Sequence, residues 1–344
     1  MCTVSRGLTL AAAVGGGAIL IAKAIAHSRR LEGLRGKTVL ITGGSRGLGL
    51  LLAREFTRQG CRVAICARHA DQLDRAREDL ARRGADVWAG TCDVSDPEQV
   101  RQFMADLTAQ FGPVDVLVNN AGIIQVGPAL CMTAEDYDRA LKTIFWGALN
   151  MISAVLPGMR ARREGRIVNI TSIGGKVSVP HILPYCCAKF ALVGLSEGLR
   201  AELAREGVLV TTIVPGLMRT GSHVNALFKG RRQEEATWFG LGASLPLISI
   251  NAERAARAIV RATEHGDAER TISLPAIALS RLQGLFPASV ASLLSLVNQL
   301  ALPKAECGET TAAAGKDLFS AAHLPILDAL MRLGQAAAGR YNQL

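Results

Sequence analysis

The sequence predicts an α/β fold in which one parallel β-sheet is covered by helices on both faces. From Lys37 onward, short apolar runs rich in Val and Ile alternate with helix-length segments, as is typical of strands buried on both sides. Asp96 and Pro97 mark one helix start, an N-cap followed by Pro in the first turn. The predicted strands are 38–43, 62–68, 86–93, 114–122, 165–172, 208–216 and 270–275. Right-handed crossovers between them give a doubly wound, seven-stranded Rossmann-type sheet.

The α/β pattern spans residues 35–275 and follows an apolar N-terminal segment, residues 1–30. Its uncharged run from Leu8 to Ala22 is marginal for a membrane span, which needs about 20 apolar residues. Basic residues follow the run where a signal peptide would have a small-residue cleavage site, so we expect an uncleaved anchor. The denser positive charge on the C-terminal side predicts a membrane-associated protein with the rest of the chain in the cytoplasm.

Two further segments depart from the α/β pattern. Residues 218–246 mix Gly, Arg and aromatic residues between two strands, as in loops that cover binding sites. Residues 276–344 form an apolar C-terminal extension, with an uncharged stretch at 283–303. Pro and amide residues interrupt that stretch, which favours an interfacial helix or a flap beside the substrate mouth over a transmembrane span.

Composition argues against nucleic-acid binding and against a metal site. The formal net charge of +10 comes from Arg residues scattered along the chain, and only 9 Phe, 3 Trp and 3 Tyr are available to stack on bases. The eight cysteines are dispersed, without a CxxC pair or interleaved His. Several lie in strand-like runs where a thiol acts as a small buried hydrophobe, which indicates a reducing compartment.

A glycine-rich turn joins the first predicted strand to the helix that follows. It reads Thr-Gly-Gly-Ser-Arg-Gly-Leu-Gly at 42–49. Glycines let the backbone turn sharply and approach a pyrophosphate, whose charge then meets the free N–H groups of the helix N-terminus. The predicted cofactor contacts in this turn are Gly43, Ser45, Arg46, Gly47, Leu48 and Gly49.

The end of the second predicted strand favours NADP(H) over NAD(H). A carboxylate there would bind the ribose 2′-OH and repel a 2′-phosphate, but the strand ends at Arg68 and the first acidic residue is Asp71. Arg68, with Arg46 from the glycine-rich turn, offers planar donors suited to a phosphate. The alternative is that both are solvated surface arginines. Asp93, after the third strand, is predicted to accept from the adenine amino group.

Further motifs follow in order along the chain. Asn-Asn-Ala-Gly at 119–122 ends the fourth strand, Ser172 ends the fifth, and Pro-Gly at 215–216 ends the sixth. Tyr185 and Lys189 lie four residues apart, on one face of the helix between the last two of these strands. Together with the glycine-rich turn, these motifs resemble the short-chain dehydrogenase/reductase family over the whole α/β region.

The resemblance implies an oxidoreductase for alcohols and ketones with Tyr185 as general acid and base. A phenol with a pKa near 10 is a poor base at neutral pH, and the ammonium group of Lys189 is expected to lower that pKa. By resemblance, Lys189 also binds the nicotinamide ribose and Ser172 hydrogen-bonds the substrate oxygen. The resemblance assigns further positions to the cofactor cleft: Asn119, Ala121, Gly122, Pro215, Gly216 and Thr220.

One position departs from the family pattern. Many members carry an Asn in the helix after the fourth strand, where it holds a water of the proton relay, and Ile144 stands at that position here. Either the relay takes another route, or turnover is slowed, or the protein binds cofactor without much catalysis. His181, beside a Pro in a loop, is interpreted as a polar residue at the cleft rim and not as a catalytic one.

The sequence therefore supports two hypotheses. The first is a membrane-anchored reductase or dehydrogenase of lipid metabolism, acting on a small hydrophobic substrate such as an acyl, sphingoid or sterol ketone. The second is a cofactor-binding scaffold or sensor with weak or no turnover, which Ile144 motivates. NADPH consumption over a panel of ketones separates the two. By resemblance, we also expect a homo-oligomer, a dimer or a tetramer.

Overall fold

The computed structural model describes residues 33–246, 248–306, 311–321 and 325–344, so the predicted anchor at 1–30 lies outside the described residues. The strands are β1 Thr38–Thr42, β2 Arg62–Ala67, β3 Val87–Thr91, β4 Val116–Asn119, β5 Gln125–Val126, β6 Gly165–Ile170, β7 Val208–Pro215, β8 Met218–Arg219, β9 Leu227–Phe228, β10 Ile250–Asn251, β11 Glu269–Ile272 and β12 Ala313–Ala314. The helices are α1 Gly47–Arg58, α2 Ala70–Arg82, α3 Pro97–Phe111, α4 Ala134–Leu141, α5 Gly147–Arg162, α6 Leu183–Glu202, α7 Arg232–Ser244, α8 Ala252–His265, α9 Leu274–Leu285, α10 Pro287–Leu300, α11 Gly315–Ala321 and α12 Pro325–Arg340.

Seven strands form one parallel sheet in the order β11-β7-β6-β4-β1-β2-β3, which confirms the predicted fold class. The chain winds in opposite directions from β1 and from β4, so their carboxyl ends flank the crevice where open α/β sheets bind ligands. Apolar side chains from α1, α2 and α8 cover one face of the sheet, and those from α3, α5 and α6 cover the other.

The seventh strand is shorter than the sequence predicts. Residues 273–275 were expected to continue it, but they begin α9, where Ser273 is the N-cap and its hydroxyl accepts from the N–H of Ala276. Pro275 fits the first turn of a helix, whose N–H groups lack intrahelical partners. The chain therefore turns into α9 directly at the carboxyl edge of the sheet.

One helical segment in the described part of the chain, Ala134–Arg162, is long and apolar enough to cross a membrane. It is a flanking helix of the sheet, because its residues Met151, Ile152 and Val155 are buried in the core. Its middle, residues 142–146, is a π-helical turn between α4 and α5. Such turns are frequent at functional sites.

The cysteines depart from the expectation of thiols throughout. Free thiols are found at Cys61, Cys66, Cys92, Cys186 and Cys187, whereas Cys131 is disulfide-bonded. A disulfide is unusual in the reducing compartment that the cysteine pattern indicated.

The C-terminal extension packs over a buried histidine. His223 lies beneath α11 and α12, with its ring edge-on to Phe319 at 5.1 Å between centroids and its Cε1 2.9 Å from where a Cβ on Gly334 would stand. Neither ring nitrogen has a hydrogen-bond partner among the residues described. Burial lowers the pKa of His223 from 6.5 to about 4. The neutral imidazole is therefore the form that the fold accommodates.

We expect this histidine to make the fold sensitive to acid. Below pH 6.5 the unfolded chain binds a proton that the folded chain does not bind until about pH 4, so stability is lost as the pH falls through this interval. The loss amounts to about 3 kcal/mol at most. Urea unfolding without cofactor between pH 7 and pH 4 measures it, and His223→Phe should remove that part of the pH dependence. The exposed His265→Phe variant is the control. An unchanged pH dependence of the free energy of unfolding in His223→Phe would contradict the assignment.

Candidate active site

The glycine-rich turn opens the cleft at the carboxyl end of β1. Gly43 and Gly47 have φ of +63° and +56°, a region that favours glycine. A Cβ on Gly49 would overlap the carbonyl oxygen of Gly43, so only glycine lets the turn close onto the first turn of α1. Of the six predicted contacts in the turn, all except Gly49 line the cleft. Gly49 does not line the cleft but packs against the carbonyl oxygen of Gly43.

Asn120 holds this turn in place and was not predicted. Its Nδ2 donates to the carbonyls of Thr42 at 3.0 Å and Gly43 at 3.2 Å, and its own N–H donates to the Thr42 hydroxyl at 3.0 Å. Asn119, predicted to line the cleft, lies beneath the cleft floor instead. Asn119 is the last residue of β4, and its side chain lies against the neighbouring strand β6. Its Nδ2 donates to Asn169 Oδ1 at 2.9 Å. Consecutive strand residues face opposite sides, so only one of the two asparagines reaches the cleft.

Two arginines face each other at the adenine end of the cleft. Arg46 and Arg68 both line it, together with Asp93. Burial, and then the charge of Arg68, lower the pKa of the Arg46 guanidinium below its usual value. Arg46 donates to Asn225 Oδ1 at 2.6 Å, and neither guanidinium has a carboxylate partner in the described ranges. Two uncompensated cations at this point fit a 2′-phosphate, so the donor set suits NADP(H).

The predicted catalytic residues meet at the other end of the cleft. Tyr185 and Lys189 project from α6, and the Tyr185 hydroxyl hydrogen-bonds Ser172. Ser172 Oγ also accepts from the N–H of Gly174 at 3.0 Å, which fixes its position. Lys189 Nζ donates to the carbonyl of Ile170 at 2.6 Å and lies 5.5 Å from the Tyr185 ring centroid. The cleft continues past them along Ala121, Gly122, Pro215, Gly216 and Thr220.

The acid–base balance of this pair differs from the expectation. Burial raises the pKa of Tyr185 to about 12, and the hydrogen bond from Ser172 offsets only part of the rise. Burial also lowers the pKa of Lys189 from 10.5 to about 7. Both groups leave water on burial, which disfavours the charged form of each. Tyr185 is therefore a protonated phenol at neutral pH, suited to donating a proton.

Ile144 explains part of the lysine's environment. It lies in the π-helical turn, is fully buried, and its Cγ1 is 3.7 Å from where a Cβ on Gly122 would stand, a point 4.0 Å from Lys189 Nζ. The side chain also packs with Ala188 and Tyr185 in an apolar cluster. An apolar residue thus occupies the position where the family pattern has an Asn.

His181 is not a rim residue, contrary to the sequence interpretation. It is buried, and its Nδ1 lies 2.7 Å from Glu235 Oε1, while Trp238 Nε1 donates to Glu235 Oε2 at 2.6 Å. This pairing joins the segment just before α6 to α7. It satisfies two buried polar groups 54 residues apart, which no local sequence pattern could have indicated.

The comparisons with known proteins agree with this geometry. The model of the short chain dehydrogenase family matches residues 37–228. The chain belongs to the short-chain dehydrogenase/reductase family. It is 38% identical over 226 residues to a dehydrogenase/reductase SDR family protein 7-like of Anopheles gambiae, covering 64% of this chain and 71% of that one.

Solved structures of this family have the same fold. L-sorbose reductase from Gluconobacter frateurii, complexed with NADPH and L-sorbose, is 25% identical with a TM-score of 0.63, covering 70% of this chain and 96% of that one. A variant of actinorhodin polyketide ketoreductase with NADPH is 29% identical with a TM-score of 0.61, covering 70% of this chain and 94% of that one. This member of the family is an oxidoreductase.

Proposed function

We propose that this protein is an NADP(H)-dependent oxidoreductase that interconverts a hydrophobic ketone and its secondary alcohol. One observation carries the choice of substrate class: around Tyr185 the cleft is lined by apolar side chains, Ile123, Ile124, Met218 and Leu227. Lys189 is the one charged residue at that end among the described lining residues, and its amine is directed to a backbone carbonyl. A substrate with a large polar or charged surface would lose hydration against these four side chains.

The chain's own residues provide binding, orientation and the proton. The turn at 43–48 and the two facing arginines would hold the phosphates of NADP(H), and the bound nicotinamide supplies or accepts the hydride. Ser172 holds the substrate oxygen close to the Tyr185 hydroxyl. In reduction, Tyr185 donates its proton to that oxygen as negative charge develops on it. Lys189 binds the nicotinamide ribose and, when protonated, stabilises the phenolate that remains.

Two of the similar solved structures are enzymes that reduce a polyketide and a sugar, L-sorbose. The apolar lining favours a substrate closer to the first. The test uses the full chain in detergent: NADPH binding by nicotinamide fluorescence, then NADPH oxidation with long-chain, sterol and sugar ketones. We expect kcat/KM for an apolar ketone to exceed that for L-sorbose by at least about 100-fold. Faster turnover of the sugar would overturn the proposed substrate class.

A scaffold or sensor role is the second candidate, and Ile144 at the usual Asn position favours it. Because burial lowers its pKa to about 7, Lys189 is only partly protonated at neutral pH, which weakens the support for a phenolate. Tight NADPH binding without oxidation over the whole ketone panel would support this role over the enzyme.

We also propose that the protein docks on a membrane through the apolar hairpin formed by α9 and α10. Its outward side chains include Leu274, Leu285 and Leu300, which are 82%, 71% and 77% exposed. The chain has no carboxylate from 273 to 305, and both of its charges there are positive. With 14 residues α10 is too short to span a bilayer, so an interfacial position suits it.

The hairpin begins at the active-site mouth. Ser273 Oγ stands 2.5 Å from where a Cβ on Gly216 would lie, so α9 leaves the sheet next to the predicted nicotinamide subsite. A bilayer against the hairpin would bring lipid ketones to this end of the cleft. The anchor at 1–30 and the cytoplasmic side of the membrane stay predictions from the sequence.

Vesicle flotation tests the docking. Leu296→Asp on the apolar stripe of α10 should reduce binding of the full chain to anionic phosphatidylserine vesicles by about tenfold or more, because a charge is placed where lipid would be. Ser295→Asp, which adds the same charge to an exposed serine about 100° around α10 from Leu296, is the control. Equal flotation of the two variants would show that the stripe does not face lipid, and a change in oligomeric state specific to Leu296→Asp would indicate a second copy as its partner.

A further inference from the structure

The last residues of the chain lie on the glycine-rich turn, about 300 positions away in sequence. The N–H of Gly47, the first residue of α1, donates to the carbonyl oxygen of Tyr341 at 2.8 Å. Asn342 Nδ2 donates to the carbonyl of Ser45 at 2.8 Å, and its Oδ1 accepts from Arg75 Nε at 2.9 Å. The segment 341–343, called the C-terminal clasp below, is thus bonded to the same turn that faces the cofactor.

The next residue of the clasp reaches into the cleft. Gln343 is 7% exposed and lines the cleft together with Gly47, Thr220 and Asn225. Its Nε2 donates to the Thr220 carbonyl at 3.3 Å and lies 2.5 Å from where a Cβ on Gly47 would stand. The side chain therefore fills the gap between the glycine-rich turn and the segment after β7.

Hydrogen bonds close this part of the cleft into a ring. Arg46 donates to Asn225 Oδ1 at 2.6 Å, and Asn225 Nδ2 donates to the carbonyl of Gln343 at 2.8 Å and to its Oε1 at 2.9 Å. The bond from Gly47 to Tyr341 completes the circuit. The clasp lies outside residues 37–228, the region that matches the family, so this part of the ring belongs to this chain's own extension.

We propose that Gln343 is a cofactor-binding residue and that the clasp forms a wall of the NADP(H) site at the pyrophosphate. The primary amide at Nε2 carries two N–H groups, and the Thr220 carbonyl engages one of them. The other is available to a phosphate oxygen held at the N-terminus of α1, where anions are favoured. Among the first N–H groups of α1, the clasp hydrogen-bonds that of Gly47. The next residue, Leu48, lines the open cleft. This inference rests on the proposed use of NADP(H).

Two ligands separate the parts of the site. In the full chain, Gln343→Ala is expected to raise the Kd for NADPH by about tenfold, the loss of one hydrogen bond to a charged group. The Kd for adenosine 2′-monophosphate, which lacks both phosphates of the pyrophosphate, should stay within about twofold, because Arg46 and Arg68 are intact. Gln343→Glu, of the same shape, should weaken NADPH binding further by placing a carboxylate beside phosphate. Leu344→Ala, 75% exposed, is the control.

Hydrogen exchange gives a readout that does not depend on turnover. If the clasp is a wall, NADPH slows exchange of the backbone amides in 338–344. Faster exchange with NADPH, or tighter NADPH binding by Gln343→Ala, would show that the clasp is a plug which the cofactor displaces, and would overturn the proposal. If Gln343→Ala unfolds, the isosteric Gln343→Glu decides alone. A wild-type chain that binds neither ligand would instead refute the proposed use of NADP(H).

Discussion

Replacing Tyr185 by Phe is expected to lower kcat by about 10³- to 10⁴-fold, at the upper end of what one general acid contributes. The ring keeps its packing against the apolar cluster of Ile182 and Trp238, so the cleft should retain its shape. What the variant loses is the hydroxyl that Ser172 holds at the substrate oxygen. The affinity for NADPH should therefore stay within about twofold.

Measuring kcat by NADPH oxidation and Kd by nicotinamide fluorescence distinguishes this chemistry from a folding defect. Tyr137→Phe provides the matched control, because it removes the same hydroxyl from a tyrosine of α4 outside the cleft, and it should keep wild-type turnover. Turnover that persists in Tyr185→Phe would remove the general acid from the mechanism. A parallel loss of NADPH binding would instead assign Tyr185 to the cofactor.

The two pKa shifts indicate in which direction the site is prepared. With its pKa raised to about 12, Tyr185 holds its proton across the neutral range, as reduction of a ketone requires. Oxidation would need the phenolate, which Lys189 with a pKa of about 7 supports less than a full ammonium would. In the cofactor-free protein, burial thus keeps the proton on Tyr185 at neutral pH.

Local patterns in the sequence predicted most of the sheet and the residues at the cleft surface. Strand runs, a glycine-rich turn and a Tyr–Lys pair four residues apart each depend on short-range geometry that the chain order reveals. Asn119 was misassigned because the alternation of side chains at the end of β4 decides which of two adjacent asparagines faces the cleft, and the end of a strand is hard to fix from sequence.

Long-range pairs could not be predicted. His181 meets Glu235 across 54 positions, and Tyr341 meets Gly47 across almost the whole chain. A lone polar residue in a loop carries no sign of its partner, since periodicity reports only neighbours along one element. The pKa shifts were missed for the same reason: burial of Tyr185 and Lys189 depends on how α6 packs against the rest of the fold.

Changing Arg68 to Asp is expected to reverse the cofactor preference. The Kd for NADPH should rise by about 100-fold, because the carboxylate repels the 2′-phosphate and removes one of its two cationic partners. The Kd for NADH should fall, because a carboxylate at the end of this strand accepts from the ribose 2′-OH. Arg46 would then sit beside an opposite charge, which removes the repulsion that lowers its pKa in the native protein.

The change in net charge needs its own control. Arg77→Asp makes the same change on the exposed surface of α2, beside Asp74, and should alter neither Kd by more than about twofold. Equal weakening of NADPH and NADH in Arg68→Asp would mean that Arg68 supports the fold of the cleft and does not read the phosphate. No change in either would make Arg68 a solvated surface residue and leave Arg46 as the only cation at the 2′ position. A reversal confined to Arg68→Asp would require the guanidinium pair to face the phosphate, because surface charge alone cannot distinguish two cofactors that differ at one ribose oxygen.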